Sequence, residues 1–269
     1  MLKYPTVRSR SLLLMLVAAS WIGLPPAAPS LAGQRGNAAP RPAPRLPDGR
    51  VNLGAPPGET GFWERRNEHL VVNPKSYQAS ATANARIHID QVPLQPWARA
   101  LTDYRHSLSL ASEPYTRCKP SGGPRQFMSP YGLEILEVRE VQRIYVLNVA
   151  NAQSYRIIFM DGRPHPKELN PSSLGHSVGH WEKDTLVVES VGYNERFWMT
   201  NGGLPHTEAL RLVERFTRPD LNTLRYDVTV DDPRTYTRPW RSAWTVRWVA
   251  DRDIEEFFCE ENAESTFIR

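Results

Sequence analysis

The sequence predicts an all-β protein, an antiparallel meander closing into a barrel, with one short helix and an irregular N-terminal region. Three observations point there. Beyond residue 132 the apolar residues recur with period two rather than 3.6, as they do on strands with one buried face. The connections between these runs stay short, which pairs sequence neighbours antiparallel. No internal repeat of propeller or solenoid length is present. A stacked sandwich is the alternative, and the uniformly short connections favour the barrel.

The first residues are not part of that fold. Lys3, Arg8 and Arg10 precede the apolar run LLLMLVAASWIGL, and Ser30 and Ala32 frame Leu31 just after it. A positive start, a short apolar core and small residues at its end predict a cleaved export signal over residues 1–32. The run is shorter than the roughly 20 apolar residues that span a bilayer, so no membrane anchor is expected. Removing the signal takes the formal net charge from +4 to +1. Residues 33–57 are rich in Pro, Ala and Arg, with Arg35, Arg41, Arg45 and Arg50 set against Asp48. That composition predicts an extended, mobile linker. Residues 58–269 then form a single domain, long enough to bury a core. It carries no basic stripe interleaved with aromatics, so nucleic acid is not an expected partner. The destination is periplasmic or secreted.

Within the domain, residues 95–108 place Trp97, Leu101, Tyr104 and Leu108 at helical spacing behind Pro96, which predicts a helix packed through that stripe. About nine strands follow, LEILEVRE, QRIYVLNV, QSYRIIFM, GHSVGHWE, TLVVESV, EALRLVERF, TLRYDVTVD, SAWTVRWVA and DIEEFFC. Trp240, Trp244 and Trp248 share one strand face and read as core. Cys118 and Cys259 can form one bridge in an oxidising compartment, tying the start of the sheet to its last strand. Two separate buried thiols are the alternative.

The motifs YRIIFMDGRPHP, GHSVGHWEKDTLVVESVGYN, TEALRLVERFTRPD and VTVDDPRTYTRPW occur together. In this combination the chain resembles a large family of exported bacterial proteins that has no general assigned activity. The likeness covers residues 95–262, including the surroundings of Cys118 and Cys259. It implies a lipocalin-like β body and no particular reaction. The chain departs from the family pattern at Lys183, where glycine is usual. Lysine there must take a different turn or accept a positive φ.

The hairpin of residues 175–194 carries the most chemistry. With Lys183–Asp184 as its turn, Glu182 pairs with Thr185, His180 with Val187, Val178 with Glu189 and His176 with Val191. Alternation then puts His176, Val178, His180, Val187, Glu189 and Val191 on one face. The two histidines stand about 13 Å apart along their strand, too far to share one small group. Glu189 lies diagonally between them, at about 7–8 Å. If this face points inward, it is an apolar pocket with convergent titratable groups, and Glu189, His176 and His180 are the catalytic candidates. If it points outward, Trp181, Leu186 and Val188 make the core side. No metal site is expected, because both histidines could ligate one ion only on a bent strand.

Other positions complete the candidate site. His165, in the DGRPHP turn, and His206 can close a barrel mouth. Tyr193, Asn194, Phe197 and Trp198 lie on the loop YNERFWMTNGGLPH, which suits a lid over an apolar ligand, or equally rings packed on the rim. Glu208 and Glu214 read as polar positions alternating with Leu210 and Leu212, with Glu214 and Arg215 a surface pair. Asp231 and Asp232 face opposite ways on a strand and do not cooperate. Phosphate loops, HExxH and CxxC are absent from the sequence, and the letters GxSxG occur only as GHSVG within the expected strand GHSVGHWE, not at a strand-to-helix elbow. The expected protein is therefore an exported barrel that binds a hydrophobic or aromatic small molecule. It would act by cofactor-free acid–base chemistry, as an isomerase, hydratase or lyase. A non-catalytic carrier and an envelope interaction module are the alternatives.

Overall fold

The computed structural model describes residues 40–65, 70–71, 87–108, 112–128, 131–148, 154–256 and 259. The expected export signal and residues 33–39 of the linker lie outside them. The strands are β1 (Gly61–Arg65), β2 (Leu133–Val138), β3 (Arg143–Asn148), β4 (Ser154–Phe159), β5 (His176–Glu182), β6 (Thr185–Val191), β7 (Arg211–Asp220), β8 (Thr223–Asp231) and β9 (Trp240–Ala250). One α-helix, α1 (Pro96–Ser107), precedes β2. The nine strands form a closed barrel in chain order, with β9 paired back to β1.

The closure explains the one departure from an antiparallel meander. Strand direction cannot alternate all the way round a ring with an odd number of strands, so one neighbouring pair must run parallel. That pair is β4–β5, with Ile158 opposite Ser177 and Phe159 opposite Val178. Parallel neighbours need a crossover rather than a hairpin. Residues 160–175 supply it, and they carry His165 back to the start of β5.

The barrel is filled by its own chain. Every residue of the 3₁₀ segment Gly123–Met128 is buried. Phe127 stacks on Tyr226 at 4.6 Å between centroids and meets Phe216 at 5.1 Å. The Trp244 indole N–H donates to the Phe127 carbonyl at 3.3 Å. Two glycines let this segment in. A Cβ on Gly122 would collide with the Ser173 carbonyl oxygen, and Gly123 has φ 49° with Leu212 against it. Trp240, Trp244 and Trp248 are all buried, as their shared face predicts.

Several elements differ from the sequence expectation. Residues 40–57 pack as a strap rather than a mobile linker: Val51 and Leu53 are buried. Arg218 donates to the carbonyls of Asn52 (2.7 Å) and Gly54 (2.6 Å), and Trp63 to that of Leu53 (2.7 Å). Arg45 grips Asp184 through two hydrogen bonds. Proline-rich chain is stiff and extended, and these contacts dock it. Residues 251–256 are not strand. The ninth strand is instead β1, whose five residues show no clean alternation. Helix α1 forms where its periodicity places it, yet it buries Ala98 and Thr102, and Trp97 and Tyr104 stay exposed. The small residues allow close approach, and the Trp97 indole instead reaches the Arg234 carbonyl (2.9 Å).

Cys118 and Cys259 form a disulfide with Cα atoms 5.6 Å apart. It ties the turn before β2 to the tail after β9. Among the described residues, no helix is long and apolar enough to cross a membrane.

Candidate functional site

The β5–β6 hairpin has the register its turn predicts, from His176↔Val191 to Glu182↔Thr185. Lys183 accepts the left-handed conformation there, with φ 55°. The inner row is Ser177, Gly179, Leu186, Val188 and Ser190, all buried, with Trp181 half-buried at its end. The row holding His176, His180 and Glu189 therefore faces outward, and the inward pocket does not form. The physical reason is plain: the other row carries Trp181, Leu186 and Val188, and its two serines find buried partners.

On the outer face the crossover brings His165 to the hairpin. His165 Nδ1 lies 2.8 Å from His176 Nδ1, so one nitrogen donates and the other accepts. The other His165 nitrogen, Nε2, lies 3.7 Å from Glu189 Oε1, and Arg211 holds the opposite carboxylate oxygen at 2.7 Å. The His176 ring stacks on Phe159 at 5.1 Å. Arg163 lies over Phe159 at 4.2 Å and is paired with Asp161. Burial holds the His165 imidazole below its usual pKa; Glu189 opposes that and Arg211 reinforces it. Burial also lowers His176, with the His165 ring and Arg163 adding to the effect. The pair is thus set to be neutral near pH 7, with one hydrogen-bonding proton between the two Nδ1 atoms.

The other candidates separate from this cluster. His180 is exposed and faces Glu182 at 3.5 Å. Tyr193, Phe197 and Trp198 are buried, so the loop's rings pack on the barrel and do not form an open lid. Asn194 accepts from the backbone N–H of Arg196 (3.0 Å), closing a turn. His206 is buried against the Phe197 ring, 4.1 Å between centroids, with Nε2 3.0 Å from the Phe197 carbonyl oxygen. Burial pushes its pKa down. Asp232 is buried and accepts from the Thr207 and Thr235 hydroxyls, which makes it a loop organiser. Among the described residues, no group of three or more metal-ligating side chains converges.

A second polar cluster, inside the barrel, escaped the sequence reading. Arg156 of β4 pairs with Glu214 of β7, both fully buried. Arg156 also donates to Ser177 Oγ (2.9 Å) and Ser190 Oγ (2.6 Å), and the Tyr226 hydroxyl donates to Glu214 (2.7 Å). Burial alone would lower the Arg156 pKa, but the Glu214 carboxylate outweighs it and keeps the guanidinium charged. The Tyr193 hydroxyl is buried beside Arg156, Glu214 and Ser190, and burial raises its pKa. Glu214 is therefore not a surface partner of Arg215, which pairs with Glu182 instead. The signal was present: residues 210, 212, 214 and 216 share parity, so Glu214 lies on the face of Leu210, Leu212 and Phe216.

No family model, no curated protein and no solved structure matches the chain.

Proposed function

We propose that the protein is an exported barrel of the family its motifs resemble, and that the His165–His176–Glu189–Arg211 cluster performs acid–base chemistry on a hydrophobic or aromatic small molecule. The observation that supports it most is the position of His165, which contacts a second imidazole through one nitrogen and approaches a carboxylate through the other. The disulfide is compatible with an oxidising compartment. Isomerisation, hydration and elimination all need a proton taken and returned, which is what such a chain does.

In this mechanism His176 Nε2 takes the substrate proton. Its Nδ1–H passes to His165 Nδ1, and the positive charge settles beside Glu189, which Arg211 holds in place. Phe159, stacked on His176, holds that imidazole in place. The buried rings of the 193–198 loop argue against the envelope interaction module, whose docking would need them exposed. The interior that a lipocalin-like carrier would use is filled by Phe127 and its neighbours.

The test is a proton titration of the histidines by NMR, with and without Glu189→Gln. His165 and His176 should titrate below free imidazole, and the substitution should lower His165 further, because it removes the one group that raises it. If both titrate like free imidazole and ignore the change, the cluster does not act as a unit and the proposal fails. On a substrate found by screening, Glu189→Gln should cut kcat about 100-fold.

A further inference from the structure

A cleft of about 270 Å³ opens at the end of the barrel where the β2–β3 connection, the end of β4, the end of β5 and the strap meet. Arg50, Arg139 and Arg143 line it, with Glu137, Trp181 and Met160. The charges do not cancel. Arg50 pairs with Asp48 and Glu137, and Arg139 shares Asp48. The Arg143 side chain has neither an ion pair nor a hydrogen bond to any described residue; its guanidinium lies over Phe159 at 5.3 Å. Three guanidinium groups thus face two carboxylates, leaving one positive charge in excess.

Two hydrogen-bond donors in the same wall are also left over. The Nε of Arg143 and the indole Nε1 of Trp181 are buried and have no acceptor among the described residues. Buried donors are almost always paired, and an exception needs an explanation. Here both belong to side chains that line one cleft, and one of them carries the uncompensated charge. The Trp181 ring, with Arg50 5.5 Å from its centroid, and the Met160 thioether give the cleft an apolar side.

We propose that this cleft binds a small aromatic monocarboxylate, its carboxylate on Arg143 and its ring against Trp181 and Met160. A guanidinium matches a carboxylate through two parallel hydrogen bonds. The single excess charge fits a monoanion, and Glu137 in the wall disfavours a dianion such as phosphate. The volume lies just under the range of drug-sized pockets, which limits the occupant to about one ring. The site is separate from the imidazole cluster and does not depend on it, although Phe159 touches both Arg143 and His176.

The experiment titrates 3-phenylpropionate into the ¹⁵N-labelled mature protein and follows the Trp181 indole N–H and Arg143 Nε–H signals. Saturable shifts of both are expected, with 3-phenylpropanamide and inorganic phosphate each binding at least about 10-fold more weakly. Arg143→Gln should weaken the acid about 10- to 100-fold. Trp181→Phe, which keeps an aromatic wall but removes the donor, should weaken it by a smaller factor. Glu189→Gln should leave binding unchanged, so failure here and failure of the acid–base cluster are separate results. Absence of a saturable shift, equal binding of the neutral amide or of phosphate, or full affinity in a folded Arg143→Gln protein would each overturn the proposal.

Discussion

Neighbouring residues of one hairpin do opposite things. Ser177 and Ser190 point into the barrel and join Arg156, Glu214 and Tyr226 in a network shut off from water. His176 and Glu189, one position away on each strand, point outward into a half-exposed cluster with His165 and Arg211. The inner group has both charges compensated and its Arg156–Glu214 contacts locked. The outer group keeps a shared proton, lowered imidazole pKa values and access to solvent. A buried network with its charges compensated holds a fold in one arrangement, whereas a half-exposed one has the access it needs to move protons.

The largest test of that contrast is to break the inner pair. Glu214→Ala should cost about 3–5 kcal/mol in urea unfolding, because it leaves the Arg156 guanidinium buried without its carboxylate. Replacing both residues by apolar ones of similar volume should recover most of the loss. A pH effect comes next. His206 has a folded-state pKa below the ordinary 6.5, so the unfolded chain binds its proton more readily. Its contribution to stability is complete above pH 6.5 and is lost as pH falls through that value. Thermal melts of wild type and His206→Gln should therefore diverge at neutral pH and converge in acid.

The turn between the two faces gives a smaller effect. Lys183→Gly should stabilise the protein by about 1 kcal/mol in the same urea assay, since lysine there holds φ 55°, a left-handed conformation that glycine adopts without a Cβ penalty. The smallest change falls on the outer face. The Arg211–Glu189 pair is partly exposed, so Glu189→Gln should alter unfolding by less than about 1 kcal/mol while moving the His165 titration. A loss comparable to that of Glu214→Ala would erase the distinction between the two faces.

Local rules made some of this legible and left the rest hidden. The β5–β6 register follows from counting outward from a two-residue turn, and every pair obeys it. The same alternation places Glu214 inside, because it shares parity with Leu212 and Phe216. Which face of the hairpin turns inward was open in sequence, because valines appear on both. The neighbour that decides is Arg156, a strand away. His165 reaches His176 only because β4 and β5 run parallel, a consequence of an odd strand count that no local pattern encodes. The strap has a related cause: composition reports that residues 40–57 are extended, not that Val51 and Leu53 find a surface to bury against.

The disulfide divides the barrel in an uneven way. The chain between Cys118 and Cys259 contains β2 to β9, so those eight strands lie inside one covalent loop. Strand β1 and the strap lie outside it. Five residues of β1 pair with β9, but only Trp63 pairs with Leu133 of β2. Residues 40–65 therefore close the ring from outside the covalent loop. A chain trimmed of them would keep its ring of sequence and lose its ring of hydrogen bonds. It would expose two free sheet edges of the kind that recruit other strands, and a matching peptide added in trans would find its slot waiting.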